Sequence, residues 1–237
     1  MIPKLHYISQ GNTPKQHLEN IQKACTSGIE LVQLYLECTS QKKLLNYALQ
    51  ARDITAHFQT RLVIADHYKI AKAVKADGVH FTCVDLYPTN IKAALYSWQL
   101  ISGTANSMQD CEKLLDKQVS YIYVGPYKTS NTPTTLPPMG LKGYSSITAE
   151  LKTGTPIIAH GGITPQDVSS ILQTGLSGIA VSDAITSDFN TIKIFHELLK
   201  SSATAEQRYS MPQNLGRYHI IVCGGNFKIQ KPSYLFV

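Results

Sequence analysis

Eight short apolar runs, most of them rich in β-branched residues, recur along this chain between longer segments of helical period. A run that is apolar on both faces must be covered on both sides, and helices do this when the strands lie parallel. The runs are "KLHYIS", "ELVQL", "RLVIA", "GVHF", "QLISGTA", "SYIYVG", "TPIIAH" and "SGIAVS". Clear helical segments follow several of them. Thr13 and Pro14 open the first of these as N-cap and first helical residue, and Gly28 stands near its end. "SQKKLLNYALQARDITAHF" and "DHYKIAKAVKA" supply two more.

Eight βα units within 237 residues predict a closed (β/α)8 TIM barrel. No G-x-G-x-x-G fingerprint follows the first run, so an open dinucleotide-binding sheet loses its main support. Residues 127–142, "YKTSNTPTTLPPMGLK", read as a long proline- and threonine-rich loop of the kind that carries binding functions. The repeat stops near Ser201, and "RYHIIVC", "GGN" and "FKIQKPSYLFV" then read as a β-hairpin. The expected division is a barrel over 1–203 and an extension over 204–237.

Charge narrows the partners. The net charge is +6, but the lysines are scattered and no basic run is interleaved with aromatics, so small anions are favoured over nucleic acid. Five cysteines at irregular spacing form neither a C-x-x-C pair nor a group with histidine, which suits reduced packing residues. The N-terminus lacks the apolar core of a signal peptide, and no apolar run is long enough to span a bilayer. A cytoplasmic protein without a membrane partner is expected, and a homo-oligomer is left open.

A barrel of this class assembles its site at the carboxyl ends of the strands. Gly161 and Gly162 fall at the end of the seventh run, directly before Thr164, a helix N-cap. Bare backbone there either permits a tight turn or lets a phosphate approach N–H groups beside a helix N-terminus. Ser182 and Asp183, after the eighth run, offer a second set of N–H groups. Asp66 and Asp85 end the third and fourth runs, where each is either a helix cap or half of an oxygen pair suited to Mg2+. Thr104, Ser130 and Thr132 carry hydroxyls for phosphate oxygens, and Gln33 can bond a heterocycle. His80 and His160 lie on strands and read as packed, hydrogen-bonded side chains.

Several of these blocks together resemble the thiamine phosphate synthase family and its relatives the thiazole tautomerases, over roughly residues 4–200. They are "GIELVQLYLE", "LVIADHYKIAKAVKADGVHFTCVDL", "YIYVGPYKTSNTPTTLPPMGL" and "PIIAHGGITPQDV" with "GIAVSDAI". The resemblance implies a transferase of thiamine biosynthesis that joins hydroxymethylpyrimidine diphosphate to thiazole phosphate and releases diphosphate. It implies Mg2+ at Asp66 and Asp85, and phosphate at Gly161, Gly162, Ser182, Asp183, Ser130 and Thr132. It also sets Gln33 against the pyrimidine and Thr104 beside the diphosphate.

One side of the implied site departs from the family pattern. Tyr35 and Glu37 stand where the family carries arginine and lysine, Ala65 where it carries asparagine, and Pro133 where it carries lysine. Lys128 is the expected substitute cation, with His67, Lys42 and Lys43 as further sources of charge. Pro126 occupies the place of the tautomerase histidine. The alternative to a synthase is thus a diverged relative, tautomerase-like or noncatalytic, that binds a phosphorylated heterocycle without synthase turnover.

Overall fold

A computed structural model describes residues 1–37, 40–129, 136–209, 219–223 and 226–230, with side chains as far as Ser201. In chain order the first half contains β1 (Leu5–Ile8), α1 (Pro14–Thr26), β2 (Leu31–Leu34), α2 (Gln41–His57), β3 (Arg61–Ala65), α3 (Tyr68–Ala73), β4 (Gly78–Phe81) and α4 (Ile91–Ala94). Then come β5 (Leu100–Ala105), α5 (Met108–Asp116), β6 (Tyr121–Val124), α6 (Gly140–Glu150), β7 (Ile157–His160), α7 (Val168–Gln173), β8 (Gly178–Val181), α8 (Asp183–Ser187) and α9 (Thr191–Tyr209). The eight strands pair in sequence order, all parallel, and β8 closes on β1. The chain is the TIM barrel that its eight apolar runs predict.

Two compact units divide between Ser202 and Ala203. In the second, β9 (His219–Cys223) and β10 (Asn226–Gln230) pair antiparallel, with Asn226 opposite Cys223.

Local signals account for the helix ends. The Thr13 hydroxyl accepts from the Gln16 N–H at 3.2 Å, and Pro14 occupies the first turn of α1, where its missing N–H costs nothing. Ser107 caps α5 in the same way, accepting from Asp110 N–H at 3.1 Å. Each such cap is worth about 1 kcal/mol. Arg52 of α2 donates to Asp77 at 2.6 Å, and the same carboxylate oxygen accepts from Leu62 N–H at 2.7 Å, which ties the helix to β3. The expected loop over 127–142 ends sooner than its composition implied. α6 already begins at Gly140, with Met139 as its N-cap.

Alternation along each strand sorts the side chains. Leu5, Val32, Ile64, Val79, Ile122 and Val181 join the large core under the helices. Tyr121, Tyr123, Ile158 and Ala180 form a second cluster on the opposite strand face, inside the barrel. That interior is unusually polar. His6 Nδ1 lies 2.8 Å from the Tyr123 hydroxyl, and its Nε2 donates to the Pro3 carbonyl at 2.9 Å. The His80 and Tyr123 ring centroids are 4.3 Å apart. His80 is a packed, hydrogen-bonded strand side chain, as expected, whereas His160 is packed but its Nε2 has no hydrogen-bond partner among the described residues.

Burial holds these imidazoles neutral. It pushes His6 and His160 down to about 4 and His80 well below its ordinary value. In the unfolded chain they titrate near roughly 6.5. Between that value and the folded one the unfolded state binds more protons. Stability is therefore complete above the unfolded pKa and falls as the pH drops through the window. The urea midpoint should accordingly decline from about pH 7 to about pH 4.5, with His6 alone contributing roughly 3 kcal/mol. His6→Gln should flatten the slope, and a midpoint constant over that range would contradict the neutral interior.

Candidate functional site

Because all eight strands are parallel, their carboxyl ends form one rim, and the candidate residues are distributed around it. The β6–β7 sector is defined in most detail. Beyond the last residues of both strands the ladder continues, with Tyr127 N–H donating to His160 O at 2.8 Å and Lys128 N–H to Gly161 O at 3.1 Å. Gly161 and Gly162 have φ of +91° and +67°, a region that side chains rarely adopt. A Cβ on Gly161 would lie 2.6 Å from Pro126 Cβ, and one on Gly162 would lie 3.1 Å from Lys128 O. The paired glycines are therefore required by the approach of the β6 loop as well as by the turn.

That packing fills one side of the glycine pair. The N–H groups of Gly161 and Gly162 donate to no acceptor among the described residues. The same holds for Ser182 and Asp183, on the adjacent strand end and first turn of α8. Two neighbouring strand ends thus present four open donors, a set that suits an anion. Asp183 Oδ1 is buried without a hydrogen-bond partner among the described residues. Ser130 and Thr132, expected to add hydroxyls, lie outside the described residues.

Lys128 sits at this sector too. Its ammonium contacts Asp167 Oδ1 at 2.6 Å, and this bond raises its pKa. Burial of Asp167 works to raise its pKa, but Lys128 and the Thr164 hydroxyl and N–H outweigh it and leave the carboxyl below its ordinary value. Thr164 and Asp167 form a reciprocal capping box, with Asp167 Oδ2 accepting from Thr164 N–H at 3.0 Å and from its hydroxyl at 2.7 Å. The sequence reading found Thr164 as the cap but missed Asp167. The T-x-x-D spacing in "TPQD" was the available signal.

On the other side of the rim, Asp66 takes φ +58° immediately after β3. It does not cap α3, whose N-cap is His67. Its two oxygens instead accept from Thr82 N–H at 2.8 Å and the Thr82 hydroxyl at 2.7 Å, fastening the ends of β3 and β4 together. Thr82 went unnoticed in the sequence, since nothing local marks a partner on the next strand. Asp85 is exposed within a 3-10 turn, Val84–Leu86. Among the described residues no group of three or more His, Cys, Asp or Glu side chains gathers as a metal cage. Asp66 and Asp85 are oxygen donors of the kind Mg2+ prefers, and exposed Asp85 leaves room for the waters that ion keeps.

Tyr35 and Glu37 follow β2. Tyr35 N–H donates to Ser9 Oγ at 3.1 Å, and Ser9 in turn lies 3.0 Å from His17 Nδ1. The Tyr35 phenol is held above its ordinary pKa by burial, then by Glu37, then by Asp66, so this sector is acidic. Gln33 is buried on β2, and its Oε1 has no partner among the described residues. An orphaned buried carbonyl costs about 1–3 kcal/mol, and an N–H donor on a ligand would remove that cost. Thr104, near the end of β5, bonds His80 Nε2 at 2.8 Å.

The glycine turn yields a direct test. Gly161→Ala should cost more than about 1 kcal/mol, from the left-handed backbone and the Pro126 overlap together. Gly162→Ala should cost less, since its nearest contact is looser. Urea midpoints of the two variants check the order, and equal midpoints to the unsubstituted chain would contradict the packing.

Comparison with known proteins places this rim. A family model described as thiamine monophosphate synthase matches residues 5–185. The thiamine-phosphate synthase of Flavobacterium johnsoniae is 34% identical over 190 residues, covering 78% of this chain and 90% of that protein. Its counterpart from Flavobacterium psychrophilum is 33% identical over 204 residues, covering 84% and 99%. Thiamine phosphate pyrophosphorylase from Pyrococcus furiosus shares the fold at a TM-score of 0.69 and 22% identity, covering 85% of this chain and 96% of its own. With the family match spanning most of the barrel and relatives above 30% identity over most of their length, the chain belongs to the thiamine monophosphate synthase family.

Proposed function

We propose that this chain is a thiamine-phosphate synthase, joining hydroxymethylpyrimidine diphosphate to thiazole phosphate. The observation that carries the reading is the set of open N–H groups at Gly161, Gly162, Ser182 and Asp183, which suits the phosphate of the thiazole. Gln33 offers its unpartnered Oε1 to the pyrimidine across the barrel mouth. In the reaction the bond between the pyrimidine methylene carbon and the diphosphate oxygen breaks, and diphosphate leaves with the electron pair. The thiazole nitrogen then donates its lone pair to that carbon.

Charge on the leaving group is what the site must offset. Asp66 and Asp85 would hold Mg2+, which when bound neutralises part of the diphosphate charge. Lys128 is the cation of the β6 loop among the described residues, and half of its side chain is exposed. To serve the leaving group it must exchange Asp167 for diphosphate. The acidic Tyr35–Glu37 sector makes that contribution more necessary, because two like charges a few ångströms apart repel by about 1 kcal/mol even in water. Small phosphorylated partners and a cytoplasmic setting belong to the same reading.

Purified protein incubated with both precursors and Mg2+ should form thiamine phosphate and diphosphate in equal amounts. Lys128→Ala should lower that turnover roughly a hundredfold, the usual effect of losing one preorganised charge-stabilising group. Absence of turnover with calorimetric binding of thiazole phosphate retained would overturn the synthase reading in favour of a phosphate-binding relative.

A further inference from the structure

The anion cradle at β7 and β8 contains a negative charge of its own. Asp183 opens α8, and its backbone N–H is one of the four open donors. Its side chain carries a carboxylate whose Oδ1 is buried and meets no donor among the described residues. No ion pair among those residues includes it, and the ammonium of Lys128 is already held by Asp167.

Covalent geometry fixes the consequence. Four bonds separate the Asp183 nitrogen from its carboxylate oxygens, so they lie no more than about 5 Å apart in any rotamer. An anion that accepts from that N–H therefore sits a few ångströms from a like charge. At such a separation each further unit of negative charge on the ligand weakens binding by about tenfold, at an effective dielectric between that of water and that of a protein surface.

A phosphomonoester has two forms around neutral pH, because its second ionisation falls near about pH 6. The dianion brings two charges and no hydrogen. The monoanion brings one charge and one hydroxyl, which can donate to an unpartnered carboxylate oxygen in a short, charge-assisted bond while its other oxygens accept from the backbone N–H groups. Only that form answers both the open donors and the orphaned acceptor of this turn.

We propose that Asp183 is a specificity-determining residue that makes the β7–β8 cradle take a phosphomonoester as its monoanion, with the phosphate hydroxyl donating to the Asp183 carboxylate. At a pH where the free ligand is a dianion, binding then takes up one proton from solvent. The inference rests on the anion reading of these N–H groups and adds the protonation state that they accept.

Other ionisable groups around the turn do not give this behaviour. Tyr7 of β1, bonded to Thr186 of α8, is held above its ordinary pKa by burial, and burial holds His160 of β7 at about 4. Beneath them burial holds His6 at about 4 and His80 well below its ordinary value. His17 of α1, which reaches Ser9 after β1, is lowered by burial as well. Asp188, directly after α8, accepts from Asn190, and His196 of α9 bonds the Gly28 carbonyl before β2 begins, at the amino end of the barrel.

Methyl phosphate and methyl sulfate, followed by the amide shifts of Gly161 and Gly162, test the proposal. Methyl sulfate is a monoanion of similar shape with no hydrogen to give. In the wild-type chain the methyl phosphate affinity should fall about fiftyfold from about pH 6 to about pH 8, following the share of monoanion. Methyl sulfate should bind about tenfold more weakly than methyl phosphate at the lower pH, as one net hydrogen bond allows, and show no pH dependence. Asp183→Asn keeps the shape and every other ionisable group, so its methyl phosphate affinity should stay level or rise over that range. A level profile in the wild-type chain would overturn the proposal, and so would an equal fall in Asp183→Asn. If neither anion moves these amides at any pH, the anion site falls and the proposal with it, whereas clear shifts with a level profile sink the protonation claim alone.

Discussion

The contact between the β6 loop and the β7 turn sets most of what the rim can do. Pro126 approaches Gly161 so closely that no side chain fits between them, and the ladder runs on through Tyr127 and Lys128. The strand cannot end in an ordinary turn there, so it turns through two left-handed glycines. As a consequence the backbone N–H groups remain open instead of entering the loop ladder. Lys128 and the capping box of Thr164 and Asp167 then hold the loop base against the start of the next helix.

The two sides of the rim differ: the β7–β8 sector offers main-chain donors beside Asp183 and the Lys128–Asp167 pair, whereas the β2–β3 sector carries Tyr35, Glu37 and Asp66. Electrostatics alone would orient a ligand with one phosphate toward the glycines and its less anionic part toward β2. A diphosphate on the second side would meet like charge there. The polar interior beneath this rim, where His6 and His80 both pack on Tyr123, brings no charge into the barrel.

Much of this was legible in the sequence, for reasons of range. Strand and helix positions are set by local periodicity, and all eight apolar runs contain the strands they predicted. The Thr13–Pro14 cap needs only neighbours in the chain and was read correctly. Gly161 and Gly162 were marked because bare backbone just before a helix start suits a tight turn or a phosphate, but one cause was hidden. Pro126 lies on another strand, and nothing in "HGGI" points to it. The pairing of Asp66 with Thr82 and of His80 with Thr104 was hidden in the same way, because strand register decides both. Asp167 lay within local reach and could have been found.

The account stands on main-chain N–H groups as the anion site. Titration of labelled protein with inorganic phosphate, followed by amide NMR, tests that claim most directly. The predicted result is that the amides of Gly161, Gly162, Ser182 and Asp183 shift together and saturate with one affinity. Saturating shifts confined to lysine-rich surface segments, with these four amides unmoved, would contradict it.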